Sequence, residues 1–375
     1  MHTLIFTGPA GVTSRAAAAT AAIAAARGTA TLLASVGPSH PLTTITGGAG
    51  RDEPHPLAPY LDAWLLDPLT NIASAWSALA GANAAQLSGD ELPLLPGADL
   101  FLAVMRLREL APRYKLVCVD AGPPDGLLRA LAVPDSVRWG VRLLLGLDRG
   151  PGRSSASVAR AIVPTGLIPF PMEWTGALQE ARVRLEQLRD ETIDPQRTHV
   201  CYVLRPDRAG LEEARVALPA LQLFGLAVER IAAGPLLDAG LAAAGLDELL
   251  AEQDAVISEA AALWPGRDML RLPLMGMAGD LDALTNLGAA LYGGAAPQMG
   301  AATAPVRVAG PPEPQVAIDL PGLPREALGL TMSGDELIVR VGPYRRHLLL
   351  PEELRGVSAI RATKQGDTLV VRPRV

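Results

Sequence analysis

The stretch LIFTGPAGVTSRAAAATAA, residues 4–22, decides the fold. An apolar, β-favouring run leads into Gly8, a turn containing Gly11 follows, and an alanine-rich segment of high helix propensity carries the chain away. A second apolar run, TATLLASVG at 29–37, completes a β-α-β unit. A glycine-bearing turn between a strand and a helix N-terminus can wrap phosphate. Backbone N–H groups and the helix dipole face the anion, a lysine reaches the outer phosphates, and a hydroxyl holds Mg²⁺. In the loop Gly8-Pro9-Ala10-Gly11-Val12-Thr13-Ser14-Arg15 the lysine position holds Ser14, the hydroxyl position holds Arg15, and Pro9 has no N–H to donate. Two readings stand: a vestigial anion site onto which Arg15 leans back, or a bare turn with Thr13 or Ser14 as its helix cap.

No other lysine of the chain can serve. Of 33 cationic residues only Lys115 and Lys364 are lysine. Lys115 opens the strand-like run KLVCVD, whose far end, Asp120, is expected to face the loop, so it lies ~16 Å away at ~3.3 Å per residue. Lys364 falls in a different part of the chain.

Further strand-like runs follow at 115–120, 141–147 (VRLLLGL), 199–204 (HVCYVL) and 225–233 (GLAVERIAA), separated by amphipathic helical stretches at 176–191 and 208–222. Strands alternating with helices predict an α/β fold, a mostly parallel sheet with helices on both faces. Residues 294–312, rich in Pro, Ala and Gly, read as a linker. It separates a domain at 1–293 from one at 313–375, where period-two patterning and Gly-Asp and Pro-Gly turns predict a small all-β sandwich. A length of 375 residues accommodates both.

Composition excludes several classes. The net charge of −6 and the absence of a basic block give no footprint for nucleic acid. Hydrophobic residues make up 49% and mean hydropathy is +0.23. No run reaches the roughly 18 uninterrupted apolar residues of a membrane span. The first residues lack a basic segment ahead of an apolar one, so a cytoplasmic location is expected. Cys118 and Cys201 stand apart in apolar runs, with no metal-ligand spacing, and read as buried thiols.

With these motifs in order, the chain resembles the ArsA-type family of arsenite-pump and tail-anchored-protein-targeting ATPases. That family's loop reads GKGGVGKT, so its signature lysine falls on Pro9, its second lysine on Ser14 and its Mg²⁺-binding threonine on Arg15. Its first switch, DPAH, corresponds to Gly37-Pro38-Ser39-His40, where the water-orienting aspartate has become glycine. Its second switch, DTAPTG, resembles Asp120-Ala121-Gly122-Pro123-Pro124-Asp125 and is the best preserved. The adenine-closing loop corresponds to Arg205-Pro206-Asp207, and the adenine-reading asparagine is replaced around Ala232 and Ala233. The segment around DELIVRVGPYRRHLLLP (335–351) looks like the alpha-crystallin-like domain of some bacterial members.

The resemblance spans residues 3–373 and implies a vestigial nucleotide site at Gly8, Gly11, Val12, Thr13, Ser14, Arg15, Asp120 and Pro206. It assigns no metal ligand and no firm catalytic residue beyond Asp120 as a switch remnant; a helix cap or an ion pair is the plain alternative for that side chain. Residues that shape the fold survive while those touching phosphate, water, Mg²⁺ and adenine are replaced. Losing several transition-state contacts together leaves little catalysis.

We therefore expect a non-hydrolysing, dimeric client-binding or chaperone-type module, pairing with itself or with a paralogue whose loop is intact. The alternative is an ATPase that uses ATP and Mg²⁺ with arginines or a partner's groups in place of the lysine. The family's client helices correspond to the apolar run at 58–81, containing Trp64, Leu65, Leu66, Ile72 and Trp76, which is either core or a groove for a hydrophobic protein client. Neither the zinc-binding CxxC nor the arsenite-binding cysteines are present, which argues against arsenite transport. The run Tyr344-Arg345-Arg346-His347 reads as a basic edge or a solvated strand face, and His40, between prolines, as a solvated loop residue.

Overall fold

A computed structural model of the chain describes residues 1–36, 42–46, 53–66, 70, 72–73, 97–144, 174–274, 280–355 and 360–373. The switch-like stretch at 37–40 and Trp76 lie outside the described residues.

The β-α-β unit forms as its sequence dictates: β1 (His2–Thr7), α1 (Val12–Ala26) and β2 (Thr31–Ser35). Then come β3 (His55–Ala58), β4 (Leu61–Leu65), α2 (Ala98–Leu110), β5 (Leu116–Asp120), α3 (Pro124–Leu144) and α4 (Trp174–Thr192). The first unit closes with β6 (Thr198–Leu204), α5 (Arg208–Leu223), β7 (Val228–Leu236), α6 (Asp247–Leu263), β8 (Asp268–Pro273) and α7 (Leu281–Tyr292). The eight strands form one sheet in the order β3-β4-β2-β5-β1-β6-β7-β8, parallel except for the edge pair β3–β4.

Central strands are apolar on both sides because both faces are covered. Leu4, Phe6 and Cys118 face α1 and α7, whereas Ile5, Val117 and Val119 pack with residues of α2 and α3. The alanines of α1 let a neighbour come close, and α7 meets it at Gly288, where a Cβ would stand 2.3 Å from the Ala19 carbonyl oxygen. Trp64, Leu65 and Leu66 are fully buried, so the apolar run contributes β4 and the residue after it to the core, whereas Tyr60 in the turn before β4 is exposed. Both cysteines are buried, as their runs predicted, and burial pushes the Cys201 thiol up to about 12.

Seven antiparallel strands follow: β9 (Val306–Ala309), β10 (Gln315–Asp319), β11 (Leu328–Ser333), β12 (Glu336–Val341), β13 (Tyr344–Leu349), β14 (Ile360–Gln365) and β15 (Thr368–Pro373). They build two sheets, β14-β15-β10-β9 and β11-β12-β13, which share a core of Val316, Ile318, Leu337, Val339, Leu369 and Val371.

Three expectations need correction. The run at 141–147 is not a strand: residues to Leu144 end α3, and 145–147 lie outside the described residues. Without alternation, a short apolar run does not separate strand from helix. Residues 306–309, inside the expected linker, form strand β9 on β10. Finally, Tyr344-Arg345-Arg346-His347 is neither basic edge nor solvated face throughout, because Arg346 is buried against the first unit. Its guanidinium donates to the carbonyl of Leu223, the last residue of α5, and lies 5.8 Å from the Phe224 ring centre. A cation there meets the negative end of the helix dipole.

The sandwich is also fixed by a buried ionic group. Arg138 on α3 lies 3.4 Å from each of Asp135, Glu186 and Glu336, and donates to the His347 carbonyl at 2.8 Å. Arg189 on α4 reaches Asp135 at 2.8 Å. Trp264 donates from its indole to the Pro321 carbonyl at 3.2 Å.

Candidate functional site

Parallel strands bring their C-terminal ends to one edge of a sheet, and the loops there form the crevice where α/β proteins bind ligands. At this edge β1 runs into the Gly8 loop, β5 ends in Asp120, and β6 ends at Arg205-Pro206-Asp207.

Gly8 adopts φ 149°, and a Cβ there would stand 2.4 Å from the Val203 carbonyl oxygen, so only glycine lets the loop cross β6. The loop is laced to the segment after β5. Gly8 N–H and the Thr7 hydroxyl both donate to the Gly122 carbonyl, at 3.0 and 2.9 Å. Gly11, at φ 81°, is the residue that precedes α1, and no side chain caps the helix. The reading with Thr13 or Ser14 as cap is thereby corrected: both lie within the first helical turn. The loop instead closes through its backbone, Thr13 N–H donating to the Pro9 carbonyl and Arg15 N–H to that of Gly11, each at 3.3 Å.

Ser14 occupies the lysine position and turns inward. Its hydroxyl donates to Asp120 Oδ2 at 2.5 Å, and both residues are 3% exposed. Asp120 Oδ1 accepts the Gly122 N–H at 3.2 Å. Asp120 is thus neither helix cap nor ion-pair partner in these contacts; it ties α1 to β5. Thr13 beside it is fully buried, with its hydroxyl unpaired. Val12 and Arg15 are half-buried at the start of α1.

Pro206 sits on the same sheet edge in a tight loop. Asp207 caps α5 by accepting the Gly210 N–H at 2.6 Å, and Arg205 Nε donates to its other carboxylate oxygen at 2.6 Å. Both Ala232 and Ala233 are buried in β7. The structure therefore brings Gly8, Gly11, Val12, Thr13, Ser14, Arg15, Asp120 and Pro206 to one edge.

Neither lysine is there. The Lys115 backbone pairs with Ala30 at the opposite end of β5, and Lys364 Nζ donates to the Leu323 carbonyl at 2.8 Å. An anion approaching Ser14 meets the Asp120 carboxylate without a lysine to offset it, and buried like charges are costly. Among the described residues no group of three or more His, Cys, Asp or Glu is placed to hold a metal. A cavity of about 870 Å³ lies on the α2–α3 face of the sheet against Ile5, Val119 and Leu107 and includes none of these loop residues.

Sequence reasoning missed the Ser14–Asp120 bond, which joins positions 106 apart in the chain. The signal was there in part: a hydroxyl at the lysine position opposite a retained aspartate. No described helix is long and apolar enough to cross a membrane.

Comparison with known proteins gives the context. The profile of the anion-transporting ATPase family matches residues 1–293, and that of an HSP20-like domain found in ArsA matches 313–372. Protein SCO2128 of Streptomyces coelicolor is 33% identical over 99% of this chain and 97% of its own length. Protein Rv2184c of Mycobacterium tuberculosis is 27% identical over 99% and 95%. A protein of Aquifex aeolicus named arsenical pump-driving ATPase 1 is 23% identical over 76% and 74%. A parallel sheet with a glycine loop after its central strand, a C-terminal β-sandwich and a family match over most of the length agree: the chain belongs to the anion-transporting ATPase, or ArsA, family.

Proposed function

We propose that this ArsA-family protein has lost ATP hydrolysis and works as a dimeric client-binding or chaperone-type module, paired with a second copy or with a paralogue whose loop is intact. The observation that carries the reading is the bond between Ser14 and Asp120. The position from which a lysine would reach phosphate is a buried hydroxyl engaged with the one retained switch carboxylate. Arg15 and Pro9 at the Mg²⁺ and signature-lysine positions point the same way. With neither lysine at the loop, transition-state charge has no fixed cation of that kind to meet.

The client-binding half draws on the HSP20-like domain. Strand β11 exposes Leu330 and Met332, 38% and 43%, and the edge strand β9 exposes Val308 at 60%. Apolar side chains on exposed strands suit extended, unfolded segments. The two halves are tested separately. Isothermal titration with ATP and Mg²⁺ is expected to give no heat of binding at millimolar nucleotide, and micromolar binding with turnover would reverse the first half. Suppression of aggregation of a heat-denatured reporter enzyme, weakened by Leu330→Asp with Met332→Asp, supports the second. Equal suppression by that variant would refute it.

A further inference from the structure

The cavity of about 870 Å³ on the α2–α3 face of the sheet has no part in the function above. Ile5 of β1 and Val119 of β5 make its floor, and Val104 and Leu107 of α2 wall it. Its lining is sorted by polarity along the strands. At their C-terminal ends it is closed by Val36, Ala121 and Leu127, all buried. At their N-terminal ends, where α2 descends to β5 and α4 ends ahead of β6, the rim is polar: Thr3, Thr198 and two ion pairs, Arg108 with Glu191 and Arg197 with Asp194. The Arg108, Glu191 and Arg197 side chains are 40%, 46% and 69% exposed, so this end is the mouth.

The register gives the length. Phe6 pairs with Asp120, so Ala121 is level with Thr7, and Thr3 to Thr7 spans ~13 Å at ~3.3 Å per residue. Carbon–carbon bonds of about 1.5 Å advance an extended hydrocarbon by about 1.3 Å each, so about ten carbons reach from the mouth to the closed end. The volume falls within the range of about 300–1,000 Å³ typical of small-molecule sites. The mouth offers donors more than acceptors. Glu191 is engaged by Arg108, and Asp194 accepts the Gln196 N–H at 3.0 Å. Arg197 Nε stands 3.7 Å from Asp194, beyond hydrogen-bond reach, which leaves its guanidinium donors to an incoming acceptor.

We propose that this cavity binds a fatty acid, its chain laid along Ile5 and Val119 toward Leu127 and its carboxylate held at the mouth by Arg197. A ligand with one polar end and an apolar tail matches a lining with the same division. The acids of the rim temper the attraction for an anion, so affinity is expected in the micromolar range. The site shares no residue with the Gly8 loop and does not depend on whether that loop takes a nucleotide.

The test uses the delipidated full chain with dansylaminoundecanoic acid as fluorescent probe and straight-chain fatty acids as competitors. Expected are one probe per chain and competition that tightens about 4-fold per methylene from octanoate to decanoate, then levels off past dodecanoate. Val104→Trp, which fills the tunnel, is expected to abolish binding, and Arg197→Ala to weaken dodecanoate while leaving dodecanol unchanged. Val104 is part-buried, so the larger ring is expected to fold as judged by circular dichroism; Thr3→Phe, also at a part-buried position, blocks the mouth as a second variant. The Leu330→Asp, Met332→Asp variant should bind as the wild type does, which separates this site from the client strands. No probe binding, or binding that both blocking variants leave unchanged, would overturn the site. Dodecanol binding as tightly as dodecanoate would overturn the assignment of its charged end.

Discussion

At Ser14, where the resemblance to the ArsA family's loop places a lysine, the chain carries a short hydroxyl facing the carboxyl group of Asp120. The pairing is self-consistent, because a buried aspartate needs donors and the hydroxyl supplies one at 2.5 Å. Ser14→Ala strands one oxygen of Asp120, and urea unfolding should register a loss of about 1–3 kcal/mol. Gly8 is constrained for another reason. Gly8→Ala drives a Cβ into the Val203 carbonyl at a positive φ, so soluble yield and Tm should both fall, at a cost of at least about 1–3 kcal/mol. Cys118 and Cys201, whose thiols burial holds well above their ordinary value, should react with a thiol reagent only after denaturation.

The elements show where one-dimensional reading succeeds and where it stops. The β1-α1-β2 unit was legible because its strands are apolar throughout and Gly8 and Gly11 punctuate the turn. So were β5, β6 and β7, as short apolar runs between turn signals, and helices α4 and α5, from their amphipathic period. Strand β9 was hidden because Val306 to Ala309 lie among Pro, Ala and Gly, and only pairing with β10 identifies them as a strand. The end of α3 was misread because Val141 to Leu144 are mostly apolar without alternation. Of the candidate site, the residues sharing the sheet edge were legible from strand order, but the Ser14–Asp120 bond depends on side-chain direction across two elements. Arg346 was opaque for a similar reason: its partner is the end of α5, a tertiary neighbour. Arg346→Ala should therefore lower Tm markedly, whereas Arg345→Ala on the exposed face should leave it within experimental scatter.

Across the whole molecule, the HSP20-like domain is bound to the first unit through helix α3, the helix that begins just after the Asp120 segment. Arg138 and Asp135 on that helix meet Glu336 and Arg189 in a buried group, and removing one partner leaves the others uncompensated. Arg138→Ala should cost about 3–5 kcal/mol and make the sandwich accessible to limited proteolysis as a separate fragment. The glycine loop, parallel sheet and sandwich are those of the ArsA family, and the proposal that this member has lost hydrolysis rests on the residues at Pro9, Ser14 and Arg15. The most direct test is steady-state phosphate release from Mg·ATP by the purified full chain, measured beside Asp120→Ala. The account predicts that both proteins match the buffer blank; turnover by the wild-type chain that Asp120→Ala abolishes would contradict it.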